Sequence, residues 1–111
     1  MNVNYLERKK RTGKSEEQID ISINILFILK EINEIPLYPY AIRKVILKKY
    51  NIDIPIQSIY TTIKKYEKLN YIVIDHVDDN KKYYTLTESG QKFLSKKSSY
   101  SELLVKKLYE V

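Results

Sequence analysis

Apolar residues recur along the chain with two different periods, and each change of period marks a boundary between elements. Ser15 is a candidate N-cap with Gln18 three residues later, a capping-box pattern that predicts the start of a helix. The alternation from Ile19 to Ile25 would alone suggest a strand, but the cap and the length of the apolar stretch favour a helix. We therefore expect one mostly buried helix that runs from Ser15 to about Ile32.

A second helix is predicted from Pro39, which suits a first helical turn, to about Tyr50. Its apolar side is formed by Ile42, Val45 and Ile46. Its other side carries Arg43, Lys44, Lys48 and Lys49. Four positive charges on one short helix predict a surface that faces phosphate groups. Residues 51–54 then form a turn, and Pro55 opens a third helix.

The third helix, predicted over residues 56–69, has two faces of opposite character. At 100° per residue its isoleucines and Tyr66 lie within about 40° of a common direction, which must face the core. The opposite face carries Gln57, Ser58, Thr61, Lys64, Lys65 and Lys68. Short polar side chains near the start of such a helix reach base edges, whereas lysines near its end suit the DNA backbone. We therefore expect base contacts from Gln57, Ser58 and Thr61, and backbone contacts from the lysines.

Beyond Asn70, a candidate left-handed helix terminus, the period changes to two. Residues 71–86 predict a hairpin whose turn contains Asp78, Asp79, Asn80 and Lys81. Thr87 is placed to cap a fourth helix through Leu94, and a helical pattern returns after Ser99. The pattern leaves open whether these are one helix or two.

Apolar residues beyond the fourth predicted helix form a stripe that the core does not require, which indicates self-association. The predicted dimer interface consists of Tyr100, Leu104, Leu108 and Val111. The elements together predict a mainly helical α+β fold, a winged helix-turn-helix with a two- to three-stranded wing sheet and an extra C-terminal helix. We divide the chain into a flexible basic arm (1–14), the winged domain (15–95) and a dimerisation helix (96–111).

The net charge of the chain indicates the kind of partner that it binds. The chain has 20 basic and 14 acidic residues, a net charge of +6 and a pI near 9.3, which favours a polyanion. The arm adds Arg8, Lys9, Lys10 and Arg11, which suit an A·T-rich minor groove. With no cysteine, no signal-peptide pattern and no uncharged stretch long enough to cross a bilayer, we expect a cytoplasmic protein without membrane contact.

Catalytic chemistry is not indicated. His76 is the only histidine and has neither a cysteine nor a second histidine to complete a zinc site or an acid–base pair. The aspartates around it suit a turn better than a metal site. With only two glycines, Gly13 and Gly90, the chain lacks a phosphate-binding loop and a nucleophile elbow. We expect no cofactor, no metal and no enzymatic activity.

Three segments between Ile25 and Leu94 resemble the PadR-like winged-helix transcriptional regulators. They are Tyr40-Ala41-Ile42, then Ser58-Ile59-Tyr60 with Ile63 to Ile72, and Tyr83-Tyr84-Thr85-Leu86-Thr87-Glu88-Ser89-Gly90. MarR-like regulators and archaeal viral or plasmid regulators share much of this pattern. The resemblance implies a homodimer joined through C-terminal helices, with each third helix in a major groove of double-stranded DNA. It further implies backbone contacts from Tyr60 and, on the wing, from Lys81 and Lys82.

Two other functions fit the same residues. A plasmid segregation or chromatin-type protein that spreads along DNA would use the arm and the broad lysine coverage. A protein-interaction module would use the wing acids and the C-terminal stripe. No residue pattern identifies a small-molecule effector.

Overall fold

The computed structural model describes residues 22–110, with only the backbone described over 100–110. This part of the chain forms four helices and one antiparallel hairpin. The order is α1 (Ile23–Glu34), α2 (Pro39–Tyr50), α3 (Ile56–Lys68), β1 (Ile72–Asp78), β2 (Lys81–Leu86) and α4 (Glu88–Glu110). The predicted α+β winged helix-turn-helix is confirmed. None of the helices within these residues combines the length and the apolarity needed to span a bilayer.

The start of α1 corrects the prediction of one helix from Ser15 to Ile32. Ser22 has extended backbone angles (φ −72°, ψ 157°), and its hydroxyl accepts a hydrogen bond from the Ile25 amide at 3.3 Å, as an N-cap does. A helix cannot pass through such a residue, so Ser22 is the cap of this element. Ser15 lies outside the described residues. Ile23, predicted to be buried, is 56% exposed because it lies in the first turn.

The helix-turn-helix consists of α2, a five-residue connection (51–55) and α3. Asn51 ends α2 in the left-handed conformation (φ 58°), with its amide bonded to the Leu47 carbonyl, and thereby does what glycine commonly does. Ile54 is 2% exposed and anchors the turn in the core. The Pro55 carbonyl then accepts hydrogen bonds from the Ser58 and Ile59 amides. Pro39 and Pro55 therefore mark the starts of both helices, as predicted.

The core lies where α1, α2 and α3 meet the hairpin and the first turns of α4. Isoleucine and leucine side chains fill its centre. Three aromatic rings pack together where the end of α3 meets the first half of α4. The ring centroids of Tyr71 and Phe93 are 4.5 Å apart, and those of Tyr66 and Phe93 are 5.9 Å apart. Leu47, which the sequence left as a possible core residue, is 43% exposed.

The hairpin turns on Asp79 and Asn80, which both have positive φ (53° and 63°). A two-residue turn of this kind is type I′, whose twist matches that of the flanking strands. Leu37 adds a single bridge on the far side of β2: its amide bonds the Tyr84 carbonyl at 3.1 Å, and the Tyr84 amide bonds its carbonyl at 2.9 Å. This bridge fastens the base of the hairpin to the connection between α1 and α2.

The fourth helix is continuous, which answers the question that the sequence left open. Thr87 caps it as predicted, since its hydroxyl accepts from the Gly90 amide at 3.0 Å and donates to the Asn70 carbonyl at 2.7 Å. The Thr87 amide also bonds the Tyr71 carbonyl at 3.0 Å. The cap therefore joins α4 to the end of α3.

A buried carboxylate links α1 to α2. Glu31 is 2% exposed, and its oxygens accept hydrogen bonds from Lys49 Nζ at 2.8 Å and from the Tyr50 hydroxyl at 2.7 Å. Burial by itself would raise the pKa of Glu31, but the hydrogen bonds from Lys49 and Tyr50 lower the pKa below its ordinary value. The Tyr50 ring also stacks on Phe27 at 4.2 Å. The ionised form of Glu31 therefore stabilises the packing of these helices.

Glu31→Gln is expected to reduce the free energy of unfolding at pH 7 by about 1.5 to 3 kcal/mol, the usual range for hydrogen bonds to a charged group. A pKa lowered by folding contributes stability above the unfolded pKa, and that contribution is lost as the pH falls through the folded pKa. The deficit of Glu31→Gln should therefore shrink between pH 6 and pH 3 in urea titrations. Glu34→Gln, at an exposed ion pair with Lys30, is the control and should cost under about 1 kcal/mol. If Glu31→Gln lost the same free energy of unfolding at pH 6 and at pH 3, the lowered pKa assigned to Glu31 would be contradicted.

Gly90 lies where α4 passes directly over the end of α3. A Cβ built on it would overlap the Tyr71 carbonyl oxygen, which is a backbone atom that cannot move aside like a side chain. Gly90→Ala is expected to lower the free energy of unfolding by about 1 to 3 kcal/mol, although alanine is the better helix former. Thermal or urea unfolding measures the change. Ser89→Ala, at the exposed neighbouring position, should stay within about 0.5 kcal/mol, and a stabilised Gly90→Ala would contradict this packing.

Candidate nucleic-acid interface

The exposed side of α3 is a row of polar residues that we call the polar ridge, formed by Gln57, Thr61, Lys64 and Lys68. These positions lie within about 60° of one another at 100° per residue, and all are exposed. The opposite side is fixed in the core by Ile59, Ile63 and Tyr66, each no more than 1% exposed. Thr62 is buried as well, whereas Ile56, predicted to be core, is only half-buried. The rotation of α3 about its axis is thus set by packing.

Two grooves border the polar ridge. The wing groove, of about 450 Å³, separates α3 from the hairpin tip and the start of α2. Pro39, Ile63 and Tyr84 form its buried floor. Its walls are Tyr38, Tyr40, Tyr60, Lys64, Asn80, Lys81 and Lys82. None of these described lining residues is acidic. The exposed rings and ammonium groups suit a ligand with both an apolar surface and a negative charge.

The amino-terminal groove, of about 360 Å³, lies on the other side of the ridge, between the starts of α1 and α3. Its lining includes all three residues predicted to contact bases, Gln57, Ser58 and Thr61. Ser22 and Asn24 face them from α1, and the residues lining this groove within the described chain also include no acid. The fold therefore brings the predicted base-contacting residues to one edge.

The basic residues of the two helices differ in their partners. Arg43 on α2 forms a two-pronged pair with Asp53, from Nε to Oδ1 at 2.9 Å and from Nη2 to Oδ2 at 3.3 Å. The hydrogen bonds from Arg43 lower the pKa of Asp53, which therefore stays ionised and holds the guanidinium against the turn. Lys49 is likewise paired, with Glu31 and Glu34.

The lysines of α3 are unpaired by contrast. Within the described residues, no carboxylate lies at ion-pair distance from Lys64, Lys65 or Lys68. The same holds for Lys44, Lys48 and Lys82. Lys81 has a loose pair with Asp79 at 3.7 Å, and the Asp79 side chain is 85% exposed. Lys64, Lys65, Lys68 and Lys82 can thus neutralise a phosphate without first breaking an ion pair. The ammonium groups of Lys65 and Lys81 lie near the rings of Tyr66 and Tyr38, at 5.8 Å and 5.4 Å from the ring centroids.

Several predicted residues lie beyond this surface. Arg8, Lys9, Lys10, Arg11 and Val111 lie outside the described residues. Tyr100, Leu104 and Leu108 belong to α4, but their side chains are outside the described part as well. The assignments to dimerisation and to the arm therefore stay predictions.

The predicted contact residues did not include Tyr38, Tyr40, Ser22 or Asn24, which line the two grooves. Tyr40 is 55% exposed and lines the wing groove. It follows Pro39 in the first turn of α2, and its exposure depends on how α2 meets the hairpin, which no local pattern reports. Ser22 and Asn24 were placed inside a longer helix. Reading Ser22 as the cap would have identified them as the exposed start of α1.

A polar ridge beside a hairpin that carries Lys81 and Lys82, on a helix-turn-helix, is typical of a nucleic-acid-binding protein of the winged-helix class. The sequence matches the model of the transcriptional regulator PadR-like family over residues 28–96, which is more than half of the chain. The protein belongs to this family. It is accordingly a DNA-binding transcriptional regulator, and the prediction that it is not an enzyme is confirmed by the family.

Solved structures of regulators are similar in fold. A transcriptional regulator from Clostridium thermocellum is 26% identical with a TM-score of 0.71, over 82% of this chain and 97% of that one. A PadR family transcription regulator from Clostridium difficile R20291 is similar in fold, at 21% identity and a TM-score of 0.71, over 80% of this chain and 97% of that one. One from Eggerthella lenta has 20% identity and a TM-score of 0.70, over 98% and 90%. No curated protein matches the sequence.

Proposed function

We propose that the protein is a homodimeric regulator that binds double-stranded DNA with α3 in the major groove and the wing against the adjacent backbone. The observation that carries this proposal is the polar ridge of α3, which stands between two grooves whose described linings contain no acidic residue. A duplex that meets α3 side-on would present phosphates to both grooves. Acidic side chains there would repel it, and their absence from the linings removes that cost.

The side chains of α3 would contact different parts of the DNA according to their length. Gln57, Ser58 and Thr61 carry short side chains with donors and acceptors, which suit the edges of bases in the major groove. Lys64, Lys65 and Lys68 in the second half would contact phosphates, as would the hydroxyl of Tyr60 in the wing groove. Base contacts supply discrimination, whereas phosphate contacts supply most of the affinity.

Further backbone contacts would come from the neighbouring elements. Lys81 and Lys82 reach the wing groove from the hairpin, and Lys44 and Lys48 are exposed on α2. Arg43 would contribute only by exchanging Asp53 for a phosphate. The basic arm, Arg8 to Arg11, would add charge in a minor groove. The protein would act on DNA in the cytoplasm.

Dimerisation would use the second half of α4. This helix has 23 residues and is therefore about 34 Å long, and its first half packs on the core through Phe93 and Leu94. Pairing of Tyr100, Leu104, Leu108 and Val111 with a second copy would bury the stripe. A two-fold dimer would then address an inverted repeat with half-sites about 34 to 36 Å apart.

Sequence reading by α3 is tested with an operator selected from random DNA fragments. Thr61→Ala should lose about 1 to 3 kcal/mol of discrimination at a single base position, because a base contact is removed. Thr61→Ser keeps the hydroxyl and is the matched control. Fluorescence anisotropy with the operator and with single-base variants measures both. Unchanged discrimination in Thr61→Ala, or a footprint that grows along the DNA with protein concentration, would contradict the proposed role.

Phosphate contact is tested separately. Lys64→Ala should weaken binding to all sequences alike and make the slope of log K against log salt shallower by about one, because one phosphate is no longer neutralised. Lys92→Ala on α4 removes the same charge at a position that lines neither the wing groove nor the amino-terminal groove, and it should leave the slope unchanged. Titrations at several salt concentrations give the slopes. Equal slopes for wild type and Lys64→Ala would exclude this lysine from the interface.

The dimer is tested by placing charge on the α4 stripe. Leu104→Glu with Leu108→Glu should give a monomer by light scattering, because two carboxylates would face each other across the interface. Operator affinity should fall by more than tenfold, since one half-site is lost. Lys106→Glu, on the opposite side of α4 at 100° per residue, should remain dimeric. A wild-type protein that is already monomeric would refute the proposed assembly.

A further inference from the structure

A row of four side chains crosses the wing and ends on the body of the domain. We call it the aromatic row. The His76 and Tyr83 rings stack with centroids 4.4 Å apart and planes 13° apart. Tyr83 meets Tyr38 edge-to-face at 5.2 Å, and the Lys81 ammonium lies 5.4 Å from the Tyr38 ring centroid. Tyr38 is the only member outside the hairpin.

The aromatic row lies beyond the part of the wing whose backbone is hydrogen-bonded to the body of the domain. Its base is held by the bridge between Leu37 and Tyr84, and the Thr85 hydroxyl donates to the Ile32 carbonyl at 3.0 Å. A register shift between Ile74 and His76 interrupts the ladder just beyond this base. Beyond this shift, Tyr38 contacts the hairpin through Tyr83 and Lys81.

Contact with Tyr38 also determines where the charge of Lys81 lies. A lysine at an exposed hairpin tip ordinarily samples many rotamers, and its pair with Asp79 is too loose to choose one. An ammonium within about 6 Å of an aromatic face is attracted to it. Both Tyr38 and Lys81 line the wing groove, with Lys64 of α3 also in its lining. The ring therefore keeps the ammonium at the groove.

We propose that Tyr38 is a positioning residue for DNA binding: its ring holds the wing tip and the Lys81 ammonium at the wing groove, where a phosphate of the DNA backbone lies. This inference rests on the proposed DNA-binding mode. It assigns the effect of Tyr38 to its ring and not to its hydroxyl, and it makes the contribution of Lys81 to binding depend on Tyr38.

The test is a double-mutant cycle on operator affinity with Tyr38→Leu, Lys81→Ala and both together. Each single variant should weaken binding by about three- to fivefold, the size of one exposed charge contact, and flatten the salt slope by about one. The double variant should bind no more weakly than Lys81→Ala, because Lys81 contributes only when Tyr38 holds it. Tyr38→Phe keeps the ring and should bind like wild type.

A readout without DNA separates this inference from the proposed function. The Lys81 side-chain methylene protons should show ring-current upfield shifts by NMR in wild type and Tyr38→Phe, and lose them in Tyr38→Leu. Tyr83→Leu breaks the row from the wing side and should weaken binding as Tyr38→Leu does. It takes the place of that variant in the cycle if Tyr38→Leu does not fold, as thermal unfolding will show.

The outcomes are distinct. If wild type binds no DNA, the proposed function fails, while the Lys81 shifts still report the geometry of the row. If wild type binds and the effects of Tyr38→Leu and Lys81→Ala are additive, or Tyr38→Leu binds like wild type, the positioning role is overturned. A loss in Tyr38→Phe equal to that in Tyr38→Leu would assign the effect to a direct hydroxyl contact and would also overturn it.

Discussion

The orientation of α3 depends on the burial of one side of this helix between α2 and the hairpin. Ile59, Ile63 and Tyr66 are almost completely removed from water, so rotating α3 would expose three large apolar side chains. The cost of that exposure fixes which residues point outward. Apolar packing on the other side of α3 therefore determines the direction of the polar ridge. The side chains of the ridge are not needed to hold the helix in place. This separation lets the ridge vary with the DNA sequence while the fold is kept.

The hairpin forms the second part of the proposed DNA-binding surface, beside α3. Its position is set by contacts at the end of α3. Tyr71 ends the turn after α3, and its carbonyl accepts the Thr87 amide at the start of α4. Gly90 allows α4 to approach that same carbonyl, so α3, the hairpin and α4 meet at one point. The Leu37 bridge ties the far side of β2 to the start of α2. The base of the hairpin is thus held on both sides by backbone contacts.

The sequence predicted the parts of the fold that depend on local periodicity and missed those that depend on tertiary contacts. The faces of α3, the hairpin and the Thr87 cap followed from the spacing of apolar residues and from turn chemistry. The start of α1 was misplaced because Ser15 and Ser22 are both of a residue type that caps helices well, and the cap of this element became clear only from the extended backbone at Ser22. The pairing of Arg43 with Asp53, the burial of Glu31 and the exposure of Tyr40 all join residues from different elements. No local pattern contains that information, so the predicted phosphate role of Arg43 took no account of its partner.

The distribution of ion pairs explains how a net charge of +6 becomes useful for DNA binding. Lys30, Arg43 and Lys49 are matched with Glu34, Asp53 and Glu31, and these pairs lie within and between α1, α2 and the turn after α2. They stabilise packing and contribute little net field. The lysines of α3 and Lys82 on the wing have no such partner among the described residues, so their positive charge is available on the side that carries the ridge. Because attraction to a duplex depends on local charge rather than on the total, this segregation directs the encounter toward α3. The fold thus pairs the charged groups that stabilise packing, and it leaves the lysines of α3 without a carboxylate partner among the described residues.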